Sequence, residues 1–294
     1  MSRSRQVTGT ASVVLAPNPG PMTLEGTNSW VLRAPDQESC IVVDPGPLHG
    51  GHLAALVACG PVAVILLTHG HADHSAGAAR LAELTGAAVR ALDPAHRLGG
   101  SRLGGSRLGG SGLGGSGLGG SGLGGSSLGE GDVVAAAGLE VRVLATPGHT
   151  SDSLSLLLDD AVLTGDTVLG RGSTVVAHPD GVLSDYLWSL ERLRELGDRT
   201  VLPGHGPELA AAGAAAEHYL AHRRQRLEQV RAAVAAGASS PRAVLATVYA
   251  DVDRALWPAA ELSVRAQLAY LAEQERGGGR ASGRAGPGGR RPGS

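Results

Sequence analysis

The sequence contains no phenylalanine and only two cysteines in 294 residues. Lysine is missing as well, so the fixed positive charges of the side chains are all arginine. Cys40 and Cys59 have no neighbour at metal-binding spacing. A disulfide framework is therefore excluded, and a reducing interior fits best. No apolar run approaches the roughly 20 residues of a membrane span. The opening stretch MSRSRQVTGT has no apolar segment of the kind a secretory signal needs. The expectation is a cytoplasmic protein with no membrane partner; nothing in the sequence names a protein partner. Aromatics make up 2% of the chain and the net charge is −2. Neither a global field nor a stacking surface draws the protein to nucleic acid. The bias to Gly, Ala and Arg is what GC-rich codons produce and carries no chemistry.

What is present reads first as alternating strands and turns. SVVLAPNPG and SWVLRA lead into SCIVVDPGP, a buried strand closed by a Pro-Gly turn. GGHLAALVACG predicts a short helix ending at Gly60. PVAVILLTH is a continuous β-branched run, as in a strand covered on both faces. SAGAARLAELTG predicts a helix capped by Ser75 and stopped by Gly86, and SDYLWSLERLRELG one capped by Ser184 and stopped by Gly197. After Pro207 the pattern turns helical, with Pro241 at a first-turn position. These features divide the chain into residues 1–206, a helical unit 207–276 and a disordered Gly/Arg tail 277–294. Within the first unit, residues 98–128 hold a five-residue repeat, Leu-Gly-Gly-Ser-x. A period of five matches neither helix nor strand, so it predicts an inserted flexible loop.

The chemistry concentrates at strand ends. THGHADHSAG places His69, His71, Asp73 and His74 within six residues, with only Gly and Ala between them. His149 follows in TPGHTSDS, Asp166 in LTGDTVLG and His205 in LPGHGP. Each ends an apolar strand or sits beside a Gly/Pro turn, and such positions line one rim of a sheet. Five imidazoles and two carboxylates suit two borderline metal ions, zinc being the default for His and Asp. A packed or surface role explains a lone strand-end histidine, but not seven such residues in four separate turns.

The ordered set THGHADH, PGHT, GDT and PGHG resembles the metallo-β-lactamase superfamily, over roughly Val13 to Pro207 without the repeat. The resemblance implies an α/β fold, an αββα sandwich of two mixed sheets flanked by helices. It implies two zinc ions: one held by His69, His71 and His149, one by Asp73, His74 and His205, with Asp166 bridging. Asp44, at the end of IVVD, resembles the aspartate that supports the ligand loop. Two metals about 3.5–4 Å apart bring a shared water's pKa toward neutrality, so the reaction implied is hydrolysis by a metal-bridged hydroxide. Asp73 is then both a ligand and the catalytic acceptor of the nucleophile's proton.

The branch within the family rests on less. An aspartate at 166 and the missing signal disfavour a secreted β-lactamase, and His71 disfavours a flavodiiron protein. NPGPMTLEGTNSWVL resembles the β-lactamase-like protein 2 branch, which carries a C-terminal winged-helix-like domain and is best described for single-stranded RNA cleavage. HRRQRLEQV is similar to the first helix of that domain. Single-stranded RNA is thus the expected substrate, with a thioester of the hydroxyacylglutathione type as runner-up. A non-catalytic metal-binding scaffold and a nucleic-acid-binding module are the readings of another class. Asn28, His178 and Tyr186 are weaker substrate candidates, each equally explained by packing or solvent. Arg223, Arg224 and Arg226 read as a solvated helix face. The C-terminal helices, entered directly from His205, are expected to wall the cleft.

Deleting Gly99 to Ser126 is expected to leave melting temperature and hydrolysis nearly unchanged, because each halving of a flexible loop alters closure free energy by only about 0.6 kcal/mol. A large fall in melting temperature or lost activity in the deletion protein would show that the repeated leucines pack.

Overall fold

The computed structural model describes residues 4–99 and 127–281, with side chains to 276. The repeat and most of the tail lie outside the described residues.

The first sheet runs in chain order, β1 (Arg5–Gln6), β2 (Ala11–Leu15), β3 (Asn28–Leu32), β4 (Cys40–Val43), β5 (Val62–Leu66) and β6 (Ala88–Arg90). Its first four strands are antiparallel neighbours, and β4, β5 and β6 are parallel. Parallel neighbours need a crossover. Here the crossovers are α1 (Gly50–Val57), then the single turn α2 (Ala72–Ser75) with α3 (Ala78–Thr85). The second sheet repeats the plan. β7 (Val133–Ala136), β8 (Leu139–Ala145), β9 (Leu154–Leu157) and β10 (Ala161–Gly165) form an antiparallel run. β11 (Thr200–Pro203) joins β10 in parallel after α4 (Leu183–Arg194).

Side-chain alternation explains the layering. On β4, Ile41 and Val43 face the other sheet while Cys40 and Val42 face the helices. The inter-sheet core joins Trp30, Ile41, Val43 and Leu66 to Val141, Val143, Leu156, Leu163 and Leu202. Outside the first sheet, Val42, Ile65 and Val89 meet Leu53, Leu56 and Leu81 of α1 and α3. Outside the second, Val162 and Val201 meet Leu190 and Leu193 of α4. Strands buried on both faces read as continuous apolar runs, which is why PVAVILLTH did. The result is the expected αββα sandwich.

Three further helices follow, α5 (Ala212–Ala235), α6 (Pro241–Val248) and α7 (Trp257–Ala281). Their Leu220, Leu227, Val244, Leu245 and Val264 continue the core of α4 and the second sheet. Pro241 opens α6, as the sequence predicts, and Ser240 caps it. Two other caps differ. Ser75 closes α2 and its hydroxyl donates to Gly70 O at 2.9 Å, while α3 begins after Gly77. Ser184 lies inside α4, whose N-cap is Val182. In both places tertiary packing moved the boundary. No described helix is long and apolar enough to cross a membrane. Leu98 bonds Val89 and Leu128 bonds Ala91, so both ends of the repeat segment are fastened beside β6.

Candidate metal centre

Every candidate ligand sits where a strand ends on one rim. The loop 67–77 follows β5, His149 follows β8, Asp166 ends β10 and His205 ends β11. The two sheets are tied together at this rim. Trp30 Nε1 donates to Pro203 O at 3.1 Å, and Asn28 N donates to Gly204 O at 2.8 Å. Gly204 has to be glycine: a Cβ there would lie 2.4 Å from Asp166 Oδ1 and 2.7 Å from His74 Cε1. Gly148, at φ 131°, holds His149 in place against Tyr186, whose backbone N would lie 2.3 Å from a Cβ. The small residues between the ligands are the room the ligands occupy.

The seven residues converge in overlapping groups: His69, His71 and His149; His69, His74 and Asp166; Asp73, His74 and His205. Within each group the donor atoms lie within 4.8 Å of one another. His71 Nδ1 is 3.1 Å from both His69 Nε2 and His149 Nε2. His74 Nε2 and His205 Nε2 are 3.2 Å apart, and Asp73 Oδ2 is 3.1 Å from His205 Nε2. Asp166 lies between the sets, with Oδ1 3.4 Å from His74 Nε2 and Oδ2 3.7 Å from His149 Nε2. Ligands about 2.0–2.1 Å from a tetrahedral ion stand about 3.4 Å from each other. These separations therefore match the edges of a coordination polyhedron.

The tautomers fit the same use. His149 Nδ1 donates to Val175 O at 2.7 Å and His205 Nδ1 to Gly26 O at 3.1 Å. His74 Nδ1 donates to Asp44 Oδ2 at 2.9 Å. His69 Nδ1 donates to Thr68 Oγ1 at 3.1 Å, because that hydroxyl has given its own proton to Asp44 Oδ2 at 2.7 Å. Four imidazoles thus have Nδ1–H committed to an oxygen of the scaffold and turn Nε2 inward. Unprotonated nitrogens facing each other at 3.1 Å repel unless a cation lies between them. Asp166 Oδ1 is buried without a hydrogen-bond partner. On these observations the residues fit divalent metal.

Asp44 supports the whole arrangement. It is buried at φ 51°, a left-handed conformation that costs a non-glycine residue about 1–3 kcal/mol. Its carboxylate accepts from Thr68 N (2.8 Å), Thr68 Oγ1 and His74 Nδ1. Each bond to a charged group contributes about 1.5–3 kcal/mol, so three of them outweigh the strain. Beneath it, Ser29 Oγ donates to Asp44 O at 2.6 Å and lies 2.8 Å from His52 Nε2. Sequence reasoning did not find Thr68, Ser29 or His52, because nothing in their local pattern shows which turn they reach.

Two of the three substrate candidates serve the scaffold. Asn28 is 6% exposed and spends its amide N–H groups on Pro203 O and Gly206 O. Tyr186 is fully buried and its hydroxyl donates to Thr167 O at 2.8 Å. His178 is exposed and lines a small cavity with Ala266 and Tyr270, not the metal donors. Of the three arginines, Arg224 is exposed as expected, Arg226 is half-buried, and Arg223 is buried at 3% exposure.

Two spaces open beside the donors. One is a cavity of about 310 Å³ lined by His149 and Asp166 on the metal side and by Arg223, Arg226, Tyr249, Leu256 and Ala260 on the helical side. The C-terminal helices therefore do wall the cleft. The other, about 500 Å³, lies beyond His71 and is lined by His96, Asp93, Asp152 and Asp180.

Burial opposes charge on His74, yet Asp166 and Asp44 outweigh it and hold that imidazole well above its ordinary pKa. Burial also opposes charge on His205, and hydrogen bonds to Asp166 and Asp73 raise it to about 9. Burial and the neighbouring His74 push His69 well below its ordinary value.

A profile of the metallo-beta-lactamase superfamily matches residues 22–205, and one of the beta-lactamase associated winged helix domain matches 240–276. The chain is 27% identical over 279 residues to a beta-lactamase-like protein 2 homolog of Drosophila melanogaster, spanning 92% of this chain and 90% of that one. It is 32% identical over 203 residues to the atrochrysone carboxyl ACP thioesterase of Aspergillus fumigatus, 66% of this chain and 55% of that one. A beta-lactamase domain protein of Burkholderia ambifaria superposes with a TM-score of 0.70 at 23% identity, over 92% and 88% of the two chains.

Metal-free protein at pH 7 holds His74 and His205 protonated, and both must lose that proton to act as ligands. Loading zinc at pH 7 is expected to release about two protons and to weaken, by up to about 100-fold per unit, as pH falls. Calorimetry in two buffers of different ionisation enthalpy measures the release; proton-free binding would show that His74 and His205 are already neutral in the metal-free protein.

Proposed function

The chain belongs to the metallo-β-lactamase superfamily and is a metal-dependent hydrolase, and on that premise we propose that it hydrolyses a small thioester or ester of a largely apolar acid. The observation that carries this is the cavity of about 310 Å³ beside His149 and Asp166. Its walls are mainly apolar and the C-terminal helices form one side of it, which suits an acyl group better than a polynucleotide. On the other side of the donors, Asp93, Asp152 and Asp180 line the open groove. A phosphodiester chain leaving the site that way would pass three carboxylates. The relative named a thioesterase supports the same substrate class.

Two zinc ions would be held, one by His69, His71 and His149, the other by Asp73, His74 and His205, with Asp166 placed between the two sets. The chemistry supplied by such metals is the acidification of water toward neutral pH and the polarisation of a carbonyl. Asp73 is the more exposed carboxylate of the set, its side chain 30% exposed against 11% for Asp166. Burial raises the pKa of Asp73, but the hydrogen bond from His205 and the charges of His74 and His205 together outweigh this and favour its ionised form in the metal-free protein. It takes the proton shed as the water oxygen adds to the acyl carbon. The C–S bond then breaks, and the departing thiolate receives that proton, so the products are an acid and a thiol.

Single-stranded RNA, the substrate implied by the Asn-Pro-Gly-Pro resemblance, is the second reading; the match to a beta-lactamase-like protein 2 homolog along 92% of the chain favours it. The domain limits remain 1–206 for catalysis and 207–276 for the helical unit. Free thiols at Cys40 and Cys59 suit the cytoplasm.

One panel at fixed zinc and salt tests the substrate: N-acetylcysteamine thioesters, S-lactoylglutathione, a labelled RNA oligonucleotide and a chromogenic cephalosporin. Thioester turnover is expected to exceed the other reactions by orders of magnitude and to vanish in His71→Ala. In Asp73→Ala at saturating zinc, kcat should fall further than metal content. RNA cleavage that disappears in His71→Ala, with thioesters untouched, would reverse the choice.

A further inference from the structure

Arg223 projects from α5 into a region where an arginine is costly. It is 3% exposed, and among the described residues no carboxylate stands within ion-pairing distance of it. Its guanidinium lies over the Tyr186 ring, 5.0 Å from the centroid, and Nη2 donates to Thr174 O. An arginine carries five N–H donors. Its Nε is buried with no acceptor at all. A buried, unpaired cation is among the most destabilising things a fold can keep.

The cavity beside the metal donors is where the missing acceptor fits. Arg223 lines it, and so does His222, whose Nδ1 is also buried without a partner. Asp166 is the only acidic residue among those lining the cavity, and it is committed to the metal set. Arg171, at the rim, is already paired with Glu25, and Arg226 is held by Val248 O at 2.7 Å and Gln229 Oε1 at 3.0 Å. Both are partly open to water, which hydrates their remaining N–H groups, so Arg223 is the buried cation of this cavity with an unanswered donor. The planar fork of a guanidinium matches a carboxylate in two parallel bonds.

We propose that the substrate carries a carboxylate at the end of its apolar acyl part, and that Arg223 receives it while the reacting carbonyl lies at the metal donors. The cavity therefore selects a half-thioester of a dicarboxylic acid over its neutral analogue. The proposal rests on the thioester reading for the reaction, but not for the anion site itself.

Two measurements separate the two. Glutaryl- and pentanoyl-N-acetylcysteamine are compared as substrates of the zinc-loaded protein; the first is expected to have a kcat/KM about 10–100-fold higher, the usual worth of hydrogen bonds between charged groups. In Arg223→Met the ratio should fall to near one, whatever the absolute rate, and in Arg223→Lys to an intermediate value. Glutarate and its monoamide, glutaramate, are compared as ligands by calorimetry. Both bring one carboxylate to the metal, so only a second anion site makes glutarate bind tenfold or more tightly in wild type, and Arg223→Met should abolish the difference. If neither thioester is hydrolysed while the glutarate preference holds, the reaction is misassigned and the anion site stands. If wild type does not distinguish glutarate from glutaramate, or Arg223→Met keeps the preference, the proposal is overturned. The wild-type comparison decides it even if Arg223→Met does not fold.

Discussion

Three hydrogen bonds to one buried carboxylate hold this molecule's chemistry in place. Asp44, at the end of β4, accepts the Thr68 backbone N–H, the Thr68 hydroxyl and His74 Nδ1–H. The first pins the end of β5 to the end of β4 and so sets where the ligand loop begins. The second turns the Thr68 hydroxyl so that it accepts from His69. The third fixes the tautomer of His74. One carboxylate thereby orients two imidazoles of the same loop, and the three donors together offset the strain of its left-handed backbone. The opposite side of the site is held by backbone carbonyls, Val175 O for His149 and Gly26 O for His205. Side chains that would repel one another are kept converging by groups behind them.

Much of this is legible in the chain. Ligand-grade residues at four strand ends, with glycine beside them, define a rim, and the apolar runs before them define buried strands. Asp44 is visible as the end of IVVD. What sequence could not give was reach. Asn28 and Tyr186 are candidates for substrate contact by sequence, yet each spends its polar end on a carbonyl: Asn28 reaches from the first sheet to Pro203 and Gly206, and Tyr186 of α4 reaches Thr167. Ser75 and Ser184 are good caps in isolation, but the chain's path through the ligand loop and around Gly148 sets those helix starts. Arg223 is the instructive miss. Three arginines within four residues invite a solvated face, whereas Ala216, Leu220, Arg223, Leu227 and Val230 recur at helical spacing, so Arg223 falls on the buried stripe of α5. The signal was there in the 3.6-residue period.

The two spaces flanking the donors differ in kind, and that difference is what shapes substrate choice. The helical side is mainly apolar and the more enclosed, with a guanidinium at its wall; the other is more open and lined by carboxylates. The donor set defines hydrolysis without defining what is hydrolysed, since a phosphodiester, a thioester and a lactam are all open to the same attack. The C-terminal helices that wall the apolar space share one core with α4 and the second sheet.

The central claim is that His69, His71, Asp73, His74, His149, Asp166 and His205 form one centre for two divalent ions. The most direct test is elemental analysis of the purified, dialysed protein, alongside hydrolysis before and after chelation. The account predicts about two zinc equivalents per chain, near one in a protein whose second set is broken by His205→Ala, and hydrolysis that is lost with chelator and restored by zinc. Protein that carries no metal and hydrolyses its substrate undisturbed by chelator would contradict it.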